Sequence, residues 1–135
     1  MNTQESREIV QQFYESLGKG DIQTALSLLS EDVEWIIPFP REIISHGGTW
    51  YGKNGVEQFL SLLNQNLEFQ QSELKDFIAQ NNKVAVVGNY QLMAKKTGKV
   101  YELNNVMIWT IENGKLKQFR EYADTAVAVA AFLGN

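Results

Sequence analysis

Cysteine is absent from the 135 residues, and histidine occurs once, at His46. The first absence excludes disulfides, thiol nucleophiles and thiolate-bound zinc; the second excludes a histidine-rich metal centre within one chain. No basic run is longer than Lys95-Lys96 and the formal charge is −4, which leaves no electrostatic footprint for nucleic acid or an anionic membrane. No stretch approaches the ~20 apolar residues of a membrane span. The segment Met1 to Ser6 has neither the basic region nor the apolar run of a signal peptide, and the expected compartment is the cytoplasm. What is present is carboxylates, hydroxyls and amides on a chain that is 44% hydrophobic and 11% aromatic. That suffices for one domain over 1–135, whose core removes roughly two-thirds of the unfolded surface from water.

Ile9, Val10, Phe13, Tyr14 and Leu17 recur at three- and four-residue intervals and predict a helix over Ser6 to Leu17, ended by Gly18 and Gly20. Asp21 is placed to cap a second helix bearing Ile22, Ala25, Leu26 and Leu29. The β-branched and aromatic run Val33 to Ile37 predicts a short edge strand closed by Pro38 and Pro40. Arg41 to Lys53, rich in glycine and aromatics, reads as a packed loop. Asn54 and Glu57 stand at capping-box spacing before Val56, Phe59, Leu60, Leu63 and Leu67, a third helix. Strands follow over roughly Phe69 to Ala79, Val84 to Ala94, Val100 to Ile111 and Leu116 to Asp124. Asn81-Asn82, Thr97-Gly98 and Asn113-Gly114 punctuate them. Thr125 to Leu133 reads as a short helix or docked tail. Three helices and then hairpin-linked strands make an α+β domain: a curled antiparallel or mixed sheet with helices on its concave side.

Phe13-Tyr14-Glu15-Ser16-Leu17 followed by Gly20-Asp21, Ser30 to Trp35, Trp50-Tyr51-Gly52, Gly55-Val56, Thr97-Gly98-Lys99, Glu112 to Lys115 and Phe119 to Thr125 occur in the order of the nuclear transport factor 2-like superfamily. Across nearly its whole length the chain resembles the SnoaL-like, ketosteroid-isomerase-related branch. The resemblance implies a cone-shaped α+β barrel, an apolar pocket between helices and sheet, and a homodimer through the outer face of the sheet. It does not imply one reaction, because members include isomerases, cyclases, hydrolases, dehydratases and non-catalytic modules. By resemblance, the catalytic Asp of the steroid isomerases falls at Ile37 and their oxyanion-stabilising Tyr at Phe13. The paired Arg and Asp of the limonene epoxide hydrolases fall at Gly88 and Tyr90, and their second Asp at Glu121. The late-strand acid of the polyketide cyclases corresponds to Glu121 or Asp124.

Glu121, between Phe119 and Ala123, is the leading chemical candidate, since on an inward face it would be desolvated and become a stronger base. Strand parity tests this. A two-residue Asn113-Gly114 turn puts Asn105 opposite Tyr122; a three-residue loop puts Asn105 opposite Glu121, on one face with Leu103, Met107 and Phe119. The odd spacing of Leu116 and Phe119 calls for a bulge or for packing on both faces. We take the odd loop, with Asn105 and Glu121 together in the pocket. Tyr90 and Asn105 would polarise a substrate oxygen, and His46 would carry protons at the pocket mouth. Asp124 and Asp32 read as a helix cap and a turn acid. The walls would draw on Leu17, Trp35, Ile37, Leu63, Leu67, Phe69, Leu92, Leu103 and Met107, which suits a hydrophobic small molecule. The residues leave open a cofactor-independent enzyme, a non-catalytic binder of an apolar ligand, and a scaffold module with a self-filled interior.

Overall fold

The computed structural model of the chain describes residues 2–135 and carries the first apolar stripe on α1 (Thr3–Gly18), where Ile9, Val10 and Phe13 are buried. Asn2 and Glu5 form the capping box that starts this helix, satisfying two otherwise orphaned amides. Asp21 accepts from the Thr24 amide and starts α2 (Ile22–Ser27). The helix α3 (Gly52–Asn66) begins two residues ahead of the predicted Asn54, with no side-chain cap at Tyr51. Asp124 caps α4 (Thr125–Leu133), accepting from the amides of Ala126 and Val127, and Gly134 ends it with a left-handed φ of 81°. This fixes the last stretch as a helix.

Six strands make one sheet: β1 (Leu29–Ile37), β2 (Gly48–Tyr51), β3 (Leu67–Gln80), β4 (Lys83–Ala94), β5 (Lys99–Glu112) and β6 (Lys115–Ala123). Their order is β2-β1-β6-β5-β4-β3, antiparallel throughout except for the parallel pair β1 and β6. The sheet is therefore mixed and curled, and it stays unclosed, with β2 and β3 at its two edges. Several expectations need correction: Leu29, expected on the second helix, opens β1, and Leu67, expected on the third, opens β3. The run ending at Ile37 is an inner strand, because β2, four residues inside the predicted loop, pairs with it and takes the edge. Asp32 lies within β1 and pairs with Lys117 of β6; it is not a turn acid.

On β4 and β5 the burial alternates cleanly, with Val84, Val86, Leu92, Leu103, Met107 and Trp109 turned toward the helices. In front of this face α1 packs over β3 and β4, α3 over β1 and β2, and α4 against β5. An aromatic cluster fills the middle: Trp35 stacks on Phe119 at 4.1 Å between ring centroids, and Phe13, Phe59 and Trp109 surround the pair. Such contacts add to the burial of the rings themselves by about 0.5–1.5 kcal/mol per pair.

Candidate active site

A cavity of about 920 Å³ lies between the helices and the concave face of the sheet. Every predicted wall residue borders it: Leu17, Trp35, Ile37, Leu63, Leu67, Phe69, Leu92, Leu103 and Met107. So do Glu121, Asn105, Tyr90 and His46. No lysine or arginine lies among its lining residues.

Glu121 faces inward for a different reason from the one the sequence suggested. The turn is the two-residue one: Glu112 pairs with Lys115, and Asn113 and Gly114 both have positive φ, 52° and 75°. Alone, that turn would aim Glu121 at solvent. The register then shifts between Ile111–Leu116 and Thr110–Gln118, so that Lys117 is an extra residue and the remainder of β6 changes face. Met107 stands opposite Glu121 and Asn105 opposite Ala123. The expected pairing of Asn105 with Glu121 is thus a diagonal contact, and it is made by side chains: Asn105 Nδ2 donates to Glu121 Oε2 at 2.7 Å.

Burial raises the pKa of Glu121, opposed in part by the Asn105 hydrogen bond. Oε1 has no hydrogen-bond partner among the described residues. Asn105 is 6% exposed, and its Oδ1 is buried without a partner. Beside it stands Tyr90, half-buried over Gly88. A Cβ on Gly88 would collide with Asn105 Oδ1 and lie 2.8 Å from the Tyr90 ring, so a glycine in mid-strand makes room for the polar pair. Burial, with the nearby Glu121 charge, pushes the Tyr90 phenol up to about 12, and the same two causes raise Tyr101. Both stay protonated donors.

The sequence reading missed Tyr14. It is the residue after Phe13, where the resemblance places a catalytic tyrosine, and it lines the cavity. That hydroxyl accepts from Trp109 Nε1 at 3.0 Å and donates to Met107 Sδ at 3.1 Å. Burial holds its pKa well above the ordinary value. A thioether is a weak acceptor, so this O–H is free to turn to a better one.

His46 is placed differently from the expectation. It is 2% exposed rather than at the mouth, ringed edge-on by Phe39, Phe59 and Phe132. Burial pushes its pKa down to about 4. A neutral ring near pH 7 is no proton carrier there, and that role is withdrawn. Its Nδ1 lies 3.0 Å from the Asn66 Nδ2 amide, which can only donate, so the proton of the neutral ring sits on Nε2. Asn66, like Tyr14, gave no signal in the sequence beyond its place on a helix. Asp124 is exposed and occupied as a cap, which leaves Glu121 as the cavity's late-strand acid.

A curled six-stranded sheet cupping an apolar cavity behind three helices defines an α+β cone of the NTF2-like type. The chain belongs to the SnoaL-like domain family, whose model matches residues 10–119. Among solved structures it is similar to an NTF2-like protein from Burkholderia xenovorans LB400, with 33% identity over 98% of each chain and a TM-score of 0.88. It is also similar to TerC co-crystallised with polyporic acid, with 25% identity over 96% of this chain and 98% of that one and a TM-score of 0.81. A structure from Xanthomonas campestris that carries the name polyketide cyclase shares the fold, with 20% identity over 98% and 99% of the chains and a TM-score of 0.76. The curated proteins contain no match. No helix among the described residues is long and apolar enough to cross a membrane.

Proposed function

We propose that this protein is a cofactor-independent acid/base catalyst of the isomerase, cyclase or hydratase kind, acting on an uncharged hydrophobic small molecule. The observation that carries the reading is Glu121: a carboxyl group made more basic by burial, held at one oxygen by Asn105 and open at the other, in a cavity walled mainly by hydrocarbon. Oε1 takes a proton from the carbon beside a carbonyl, and the electron pair moves onto the carbonyl oxygen. Tyr14 and Tyr90, whose raised pKa values keep them protonated, donate to that oxygen. Return of the proton at another carbon isomerises the substrate; attack of the carbon on a second carbonyl closes a ring. The neighbours co-crystallised with polyporic acid or named polyketide cyclase support a small organic molecule in such a cavity.

The reading includes a homodimer through the outer face of the sheet, where Val106 and Tyr122 pair across β5 and β6 and stand exposed with Val100. The cytoplasm stays the proposed compartment.

The test is proton exchange. In heavy water, propiophenone should lose its α-proton signal at least about a hundredfold faster with the protein than with Glu121→Gln, the scale of general acid/base contributions. Exchange no faster than in buffer would end the catalytic reading and leave a ligand binder.

A further inference from the structure

The loop between β1 and β2 spends much of its structure on holding one imidazole. Its backbone is folded by hydrogen bonds that the Ile43 and Ile44 N–H groups donate to the Pro40 carbonyl and the Gly47 N–H donates to the Ile44 carbonyl. Arg41 ties it to β2, donating from Nε to the Gly47 carbonyl at 2.8 Å and from Nη2 to the Thr49 carbonyl at 3.0 Å, with its guanidinium over the Trp50 ring. Trp50 Nε1 in turn donates to the His46 carbonyl at 3.1 Å. At Gly47 the chain passes so close to Phe39 that a Cβ would collide with the Phe39 carbonyl. The ring itself is clamped between Phe39, Phe59 and Phe132, and its tautomer is set by Asn66, whose Nδ2 also donates to Ser45 Oγ.

Burying a polar ring in this way is costly unless its groups are hydrogen-bonded. An apolar side chain among three phenylalanines would avoid that cost. Yet the arrangement satisfies only Nδ1. Nε2–H has no hydrogen-bond partner among the described residues, and His46 is one of the residues that border the cavity. The donor is therefore pre-oriented, fixed in tautomer and reserved for something that enters the cavity.

The cavity also defines what that something is. Its lining holds two carboxylates, Glu57 and Glu121, and no lysine or arginine. An anionic ligand would meet no compensating charge there and would be repelled by both. A neutral imidazole N–H suits a neutral acceptor: a carbonyl, ester or ether oxygen.

We propose that His46 is a specificity-determining residue whose Nε2–H binds a second, uncharged acceptor oxygen of the substrate, remote in the chain from the Glu121, Asn105 and tyrosine cluster that handles the first. The substrate class narrows to neutral molecules with two separated oxygen functions. This rests on the reading that the cavity binds an uncharged small molecule.

Two probes with one carbon skeleton test it. In para-hydroxybenzophenone a carbonyl joins the two rings, and in para-benzylphenol a methylene does; each keeps the phenol for the Glu121 end. The wild-type protein should bind the ketone more tightly, by about three- to tenfold, the range of one neutral hydrogen bond. His46→Phe should abolish that gap while leaving the methylene compound's affinity unchanged. Because His46 is the one histidine, its imidazole nitrogen-15 and Nε2–H signals can be followed without assignment. They should shift with the ketone and stay put with the methylene compound, in unmodified protein, so a variant that fails to fold does not spoil the test. Equal affinities with an unmoved Nε2–H signal would overturn the proposal while leaving the ligand cavity intact. Failure of both probes to bind at their solubility limit would overturn it together with the small-molecule reading on which it rests.

Discussion

Ile37 and Glu121 are the next residues on their parallel strands after the Ile36–Arg120 pair, and both border the cavity, as do the stacked Trp35 and Phe119. The position where the resemblance places an isomerase's acid is apolar here, and a carboxylate arrives beside it from the next strand. Introducing Ile37→Asp should therefore put two acids in one site. Like charges at that range cannot both ionise easily. The pair should share a proton, and the acid limb of the exchange-rate profile should move to higher pH. An unmoved limb would mean that the two positions do not share an environment.

Glu121 also leaves a signature on stability. Its folded pKa lies above the unfolded value because burial disfavours the charged form. Below the unfolded pKa both states hold the proton and nothing is lost. As pH rises through the folded value, the folded protein must carry a buried charge, so stability falls. Glu121→Gln should match the wild type in acid and exceed its urea midpoint from neutral pH upward. A variant less stable at every pH would show that the carboxylate is a structural asset.

His46 acts in the opposite direction. Its pKa drops from 6.5 to about 4 on burial. The neutral ring's stabilising contribution is complete above pH 6.5 and is lost as pH falls toward the folded value, by on the order of 3 kcal/mol in all. His46→Phe should flatten the dependence of urea stability on pH between about 6.5 and 4. A profile as steep as the wild type's would place the sensitivity elsewhere.

The face of Glu121 depends on a single extra residue. Deleting Lys117 removes the bulge, so either Leu116 or the Phe119–Glu121 segment must leave the interior. The expected outcome is a loss of several kcal/mol in stability, the scale of a large core residue removed, with loss of para-benzylphenol binding. Retained binding would place Glu121 outside the ligand site.

Replacing Val106 or Tyr122 by Lys on the outer face should convert the proposed dimer to a monomer in light scattering with little change in exchange activity. Both positions are exposed in the single chain, Tyr122 by 53%, so the substitution costs the fold little. A wild-type protein that is already monomeric would remove the dimer from the account.

The first three helices and the four later strands are legible in the sequence because apolar periodicity and turn residues agree there, whereas Thr125 to Leu133 reads equally as a helix or a docked tail. The strand β2 is not, since its four residues carry no alternation and become a strand only by pairing with β1. The inward face of Glu121 could be chosen from sequence, but its cause could not. Turn and bulge each reverse parity, and Asn113-Gly114 announces only the turn. The burial that keeps His46 neutral comes with Phe39, Phe59 and Phe132 around the ring, scattered over more than ninety residues of chain. No local pattern encodes that enclosure. Tyr14 hides in plain sight within the α1 stripe, where a hydroxyl in a row of hydrocarbons reads as core.

Of the three tryptophans, Trp35 and Trp109 border the cavity while Trp50 lies under Arg41 on the edge strand. The protein thus carries a built-in optical gauge. An aromatic ketone entering beside Trp35 and Trp109 should quench their emission and leave the light from Trp50 as a steady background, so occupancy can be read from unlabelled protein in a cuvette.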